Sequence, residues 1–489
     1  MEKTNKDIIF NYLLLIIVFC FLCSFFCVFH PITVLDSDDW VYLSYLRLPI
    51  PVLHYWNPSR ILPEVLMPAC GYLAAFISHL FELNYIKTVT YIFGIATSIF
   101  ITAYIFEFYM LLTDKYSVSR CNSFFLAIVF FFLHFLLLKK TNSEYQYMFW
   151  SYDATCFFFY TIPAVFCCTL VLFLRREKNL GRCGYAFLII SLYFAAFSNL
   201  FGSIILVSYV FSTELICIIK NRHIHSIVSY VFILFWLIAL VFEMFGGRAG
   251  GAVSAGIKIE SIIETLRNYF HVFSLFNTVI IFCVIVLFIL IVFSVFHKKS
   301  IHFNAAKANI LVYASSFFIT SIFLVALCSV VNPDYIMRPQ VYIGFVFPLL
   351  LIIASILSAL IVESNITTVL LAGVSAICFI LFAVNIGSFA EINTLGIPAT
   401  KCISIDNDLV NQMIEADASG KDEIVLEVMD TGYDDNWPHS TVIGNNLSTT
   451  LYRHRVTSKK LSVSVLWSQE FNERHNLSFD KKSENRFYE

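Results

Sequence analysis

The chain has 489 residues, of which 59% are hydrophobic and 13% charged, with a net charge of −2. A soluble globular protein carries about 25% charged residues, so this composition excludes one, and the charge balance gives no basic surface for nucleic acid. Apolar runs of about 20 residues recur without strict alternation. They exclude a β-barrel and predict an all-α polytopic membrane protein.

Met1–Asp7 is short and is followed by an apolar run from Ile8 to His30, longer than a signal-peptide core. It reads as an uncleaved first span. Next comes Asp36-Ser37-Asp38-Asp39-Trp40, within a first outer loop over 31–60. Three carboxylates at the mouth of a membrane helix are costly unless water, a metal or a substrate meets them. The run 61–81 carries Pro63, Pro68, Gly71 and Glu64 and is expected to be interfacial or re-entrant rather than spanning. Spans are expected near 85–112, 122–138 and 157–174.

Basic loops at Arg175-Arg176-Glu177-Lys178, Lys220-Asn221-Arg222 and His297-Lys298-Lys299 set the cytoplasmic side. Two spans fit between Arg182 and Lys220 if they turn near Ser198–Ser203. Further spans fall near 227–245, 272–296, 309–331, 341–362 and 367–387. The sum is about eleven spans, with the N-terminus inside and the C-terminus outside. Residues 1–388 form the membrane domain. The polar tail 389–489 reads as a small α/β cap, with a helix over 409–418 stopped at Gly420 and strands near 423–428 and 461–467. Of 14 cysteines, nearly all lie in apolar runs and read as small hydrophobes.

The outer loops combine acids, amides and aromatic rings, which suits a sugar: rings stack on its apolar face and carboxylates grip its hydroxyls. Trp40, Trp56, Glu144, Tyr145, Trp150 and Asp153 are the candidates for sugar and acceptor binding. The competing reading of the rings is an aromatic belt at the lipid interface. Asp38 and Asp39 are candidates for a general base, because adjacent carboxylates repel and one is expected to titrate high. The competing reading is an acidic loop in which Asp36 or Ser37 caps a short helix. No His or third acid stands at ligand spacing, so no metal site and no cofactor is assigned. Arg60, Arg248 and Arg338 are isolated arginines at outer loop edges, matched to phosphate oxygens.

The Asp38-Asp39-Trp40 element, the W-x-x-x-R spacing of Trp56 and Arg60, an aromatic second outer loop, Gly247-Arg248, Arg338-Pro339 and an outer C-terminal domain resemble GT-C-type polytopic bacterial glycosyltransferases. More narrowly, the layout is similar to the serotype-converting O-antigen glucosyltransferases (Gtr-type). Gly246-Gly247-Arg248 departs from the P-G-N-like element of that pattern. The resemblance implies an inner-membrane transferase that takes a sugar, glucosyl by the narrower resemblance, from an undecaprenyl-phosphate donor. The acceptor would be O-antigen or another lipopolysaccharide component at the periplasmic face. It further implies Asp38 or Asp39 as base, and Arg60, Arg248 and Arg338 on the lipid phosphate. An O-antigen polymerase and a transporter of lipid-linked sugars are the alternatives. Spans nearly free of charge argue against the transporter.

Overall fold

The computed structural model describes residues 5–50, 58–141, 144–177, 180–221, 227–245, 258–279, 301–364 and 368–479. Among them, nine helices are long and apolar enough to cross a membrane, and one two-stranded sheet is present. Helix α1 (Asn5–Ser24) runs on through a wider π turn at Phe25–Phe29. The short α2 (Ser37–Tyr42) follows, and then α3 (Ile61–Phe81), α4 (Tyr85–Asp114) and α5 (Arg120–Leu136). Next come α6 (Ala154–Arg175), α7 (Arg182–Ala196), α8 (Leu200–Asn221) and α9 (Ile227–Phe245). The amphipathic α10 (Ile259–Ser274) precedes α11 (Ile301–Val331), α12 (Pro339–Ser364) and α13 (Thr368–Asn385).

The expected eleven spans differ from this arrangement in three places. First, 61–81 is a continuous helix of 21 residues with the length and hydropathy of a span. Two of the residues read as breakers sit where a helix tolerates them, while Pro68 lies inside the helix. Pro63 lies in the first turn, where its missing N–H would be unbonded anyway. Glu64 is also in that turn, favoured by the helix dipole and ion-paired with Arg47. Second, α5 and α7 have only 17 and 15 residues, short of the others. Third, the run 272–296 begins inside α10, which ends at Ser274, and residues 280–300 lie outside the described residues. The tight turn expected near Ser198 is present: α7 stops at Ala196 and α8 starts at Leu200, with the Asn199 side chain accepting from the Phe201 N–H (2.8 Å).

The interior is aromatic. The Phe25 ring packs against Phe26, His30, Phe135, Tyr147, Phe382 and Phe389. That one side chain ties α1 to α5, the second loop, α13 and the segment after it, and its contacts with Phe26, Phe135, Tyr147 and Phe389 are edge-to-face, a geometry that ring quadrupoles favour.

The tail folds as expected. Helix α14 (Ala399–Ala418) stops before Gly420, whose φ of +72° glycine adopts without strain. Strands β1 (Glu423–Met429) and β2 (Ser462–Ser468) pair in parallel, Glu423 opposite Ser462. The crossover contains α15 (Ile443–Arg453), as parallel pairing requires, and the short α16 (Gln469–Arg474) follows β2. This lobe is fastened to the first loop. Ser37 donates from its N–H (3.1 Å) and its hydroxyl (2.6 Å) to the Pro438 carbonyl, and Asn446 donates to the Ser37 carbonyl (3.0 Å). Thr450 donates to the Trp40 carbonyl.

Close approach of the first loop to α3 depends on Gly71. A Cβ there would lie 2.2 Å from the Leu43 carbonyl oxygen. Gly71→Ala should therefore cost about 1–3 kcal/mol of stability, read as a lower thermal midpoint of the detergent-solubilised protein. An unchanged midpoint would show that α2 is not pressed on α3.

Candidate functional site

The site begins with a helix start. Asp36, in extended backbone conformation, is the N-cap of α2. Three residues on, Asp39 turns its carboxylate back to the chain before the helix. One oxygen, Oδ2, accepts the Leu35 and Asp36 N–H groups, both at 3.1 Å. The other, Oδ1, accepts the Thr155 N–H and hydroxyl, both at 2.7 Å. Asp39 is fully buried, and its lone pairs are taken up in holding the first loop against the start of α6. Its expected role as base is corrected accordingly: it is a structural carboxylate. Asp38, half-buried on the preceding position of α2, is the member of the pair with an open face.

Asp153 caps α6, accepting the Cys156 N–H. It stands against Asp36, whose two oxygens are closed from solvent and whose carboxyl shares a hydrogen bond with that of Asp153. Burial, then Asp153, Asp39 and Asp38 in turn, push the Asp36 carboxyl well above the ordinary range. Burial pushes Asp153 up too, with Asp38 adding and the cation of Arg338 opposing. Asp39 is raised to about 7 by burial and by Asp153, against the pull of its donors. These acids cannot all be charged together. Asp36 and Asp153 share a hydrogen bond, so a proton is retained by the pair.

Arg338 answers this charge. It closes the 3-10 turn Pro333–Met337 and stands before Pro339, the first residue of α12. Proline disfavours a helical residue before it, so Arg338 is extended (ψ 132°) and its side chain leaves the helix axis. The guanidinium lies 3.8 Å from the Tyr335 ring centre and 4.8 Å from that of Tyr152, a double cation–π contact. Asp153 lies within electrostatic reach of both Asp38 and Arg338.

Tyr335 is also a wall of a cavity holding about 750 Å³, including space open to solvent at its mouth. Ser59, Arg60, Tyr160, Asn199 and Glu243 line it as well. Arg60 precedes α3 in a left-handed conformation (φ 63°, ψ 28°) that costs a non-glycine residue energy. It pairs with Glu243 at the end of α9 (3.3 Å). Tyr160 feels the charge of both Arg60 and Arg338. Tyr335 thus stands between Arg338 and the cavity that Arg60 lines, at the end of the helical bundle where α3, α6, α8 and α12 begin and α9 and α11 end. Compared with known protein families, with curated proteins and with solved structures, the chain matched none.

Other candidate residues lie elsewhere. Trp40 is wholly buried and offers no ring face to a sugar. Trp150 is buried too, donating from Nε1 to the Glu391 carbonyl (2.8 Å) and packing edge-on to Tyr152. Tyr145 exchanges backbone hydrogen bonds with Ser388 and Ala390 (2.7 and 3.0 Å), and Glu144 beside it is exposed. This part of the second loop joins the segment after α13 and does not enter the acid cluster. Trp56 and Arg248 lie outside the described residues. Tyr152, Tyr160, Asn199 and Tyr335 enter the site without a place among the expected site residues. Only Asn199, an amide just ahead of an apolar run, carries a local signal of its structural role. Among the described residues, no group of three or more His, Cys, Asp or Glu is arranged to hold a metal ion.

The raised acids give stability a pH dependence of definite sign. Their folded values exceed the unfolded ones, so they stabilise while protonated, and this contribution is lost as pH rises through the folded values, about 7 for Asp39. The thermal midpoint should fall between pH 6 and pH 9. Asp36→Asn, which keeps the shape without the charge, should flatten that fall. Parallel wild-type and variant profiles would remove the shared proton from the site.

Proposed function

We propose that this protein is a GT-C-type glycosyltransferase of the bacterial inner membrane. It transfers a sugar, glucosyl by its resemblance, from a polyprenyl-phosphate donor to a surface polysaccharide such as O-antigen at the periplasmic face. The observation that carries the reading is a chain of neighbours at one end of an apolar bundle: half-buried Asp38 and Arg338 both within electrostatic reach of Asp153, and Arg338 stacked on Tyr335, which walls the cavity that Arg60 lines. A lipid-borne phosphosugar reaches such an end from the bilayer and needs cations for its phosphate and a base for the incoming hydroxyl.

In this scheme the acceptor hydroxyl attacks the anomeric carbon while the bond from that carbon to the phosphate oxygen breaks. Asp38 takes the hydroxyl proton. Polyprenyl phosphate leaves with the bonding electrons, and its growing charge is met by Arg338 and Arg60. Tyr335 and Tyr152 hold the Arg338 plane in place. Asp39 holds α2 so that Asp38 faces the cluster. Glu243 occupies Arg60 until a phosphate replaces it.

The test separates these roles. Asp38→Asn should reduce sugar transfer from a polyprenyl-phosphate donor about 100-fold or more with an unchanged thermal midpoint. Asp39→Ala should lower the midpoint itself, since it leaves buried N–H groups without an acceptor. Full transfer by Asp38→Asn would dismiss the base. Arg338→Ala should raise the donor KM more than the acceptor KM, and an unchanged donor KM would dismiss its contact with the phosphate.

A further inference from the structure

Helix α10 presents three different stripes. At 100° per residue, Thr265, Tyr269 and Val272 fall on one side and are buried. Ile259, Ile263, Leu266 and Phe270 fall roughly a third of a turn away and are exposed, Ile259 at 70% and Phe270 at 67%. Glu260, Glu264, Arg267 and His271 form the third stripe, also exposed. A helix touching only protein and water has no use for the second stripe, and a helix crossing a bilayer has no place for the third.

Its attachments fix its direction. Tyr269 donates to the Ser321 hydroxyl of α11 (3.0 Å), and Asn268 donates to Asp334 in the turn between α11 and α12 (2.9 Å). Just past its other end, the Leu275 carbonyl accepts the Lys139 N–H and the Asn277 N–H reaches the Leu137 carbonyl, both 2.8 Å, at the end of α5. The helix has 16 residues, about 24 Å in length, and is attached to α11, to the turn after it and, just past its own C-terminus, to the end of α5. Beside it, α11 exposes Phe318 and Ile322, so the apolar stripe continues an outward-facing apolar surface of a spanning helix.

We propose that α10 lies in the plane of the membrane surface, with Ile259, Ile263, Leu266 and Phe270 seated at the boundary between phospholipid headgroups and acyl chains. Its charged stripe faces water and its buried stripe faces the bundle. The partner is the bilayer itself. Through Asn268 and Asp334 the same helix grips the turn that ends in Arg338, so contact with lipid fixes the height of that arginine relative to the membrane. The placement of the helix is independent of sugar transfer and stands or falls alone.

The test uses the full chain in vesicles of phosphatidylethanolamine and phosphatidylglycerol, with the photoreactive p-benzoylphenylalanine placed at Phe270 or, separately, at His271. After irradiation, mass spectrometry should find phospholipid adducts at position 270 at several-fold the yield at 271. The neighbouring pair Ile263 and Glu264 repeats the comparison should either first variant fail to fold. Equal lipid yields at the apolar and charged positions would overturn the proposal. So would adducts at 270 and 263 formed with peptides of this chain, with a second copy or with another protein, since the stripe would then be covered by polypeptide.

Discussion

The Asp39 carboxylate is the fastening on which the site depends. It is buried and accepts two N–H groups before α2 and two donors of Thr155 at the start of α6. A carboxylate accepting several such bonds is worth its desolvation only while every donor stays in place. That condition makes it a strict locator. It fixes the first loop to the second across more than a hundred residues of chain, and Asp36, Asp38 and Asp153 are close because it does so. Their mutual repulsion is the cost, offset by a retained proton and by Arg338.

The C-terminal lobe grips the same few residues from the other side. Ser37 lies between Asp36 and Asp38 and gives both of its donors to Pro438. Thr450 and Asn446 on α15 hold the carbonyls of Trp40 and Ser37. Helix α2 is thus clamped between membrane helices and lobe. The tail is part of the site's frame, and the acid-bearing helix, six residues long, would have little reason to be rigid without it.

The bundle was legible in the sequence because its signal is local: uninterrupted apolar length. The tail's strands and Gly420 stop were legible for a similar reason. The unbroken course of helix α3 was hidden because Pro63, Pro68, Gly71 and Glu64 together look like breakers, whereas Pro63 and Glu64 fall in its first turn and Arg47, the partner of Glu64, lies outside that run. The role of Asp39 was hidden because Thr155 is remote in sequence. Trp40 and Trp150 carry the same residue name whether they line a sugar site, sit at a lipid interface or fill a core, and only burial tells these apart. Asp36 as a helix cap was one of two readings open from the spacing. Arg338 was marked by its proline and its isolated charge, both local, although its seat between two tyrosines was not.

Tyr335 belongs to two neighbourhoods. One face of the ring cushions the Arg338 guanidinium, and the residue also walls the cavity that holds Arg60. Whatever lodges in that hollow leans on the cushion. The hollow and the seat of the second cation therefore share one wall, and a substitution at this single ring would reshape both at once.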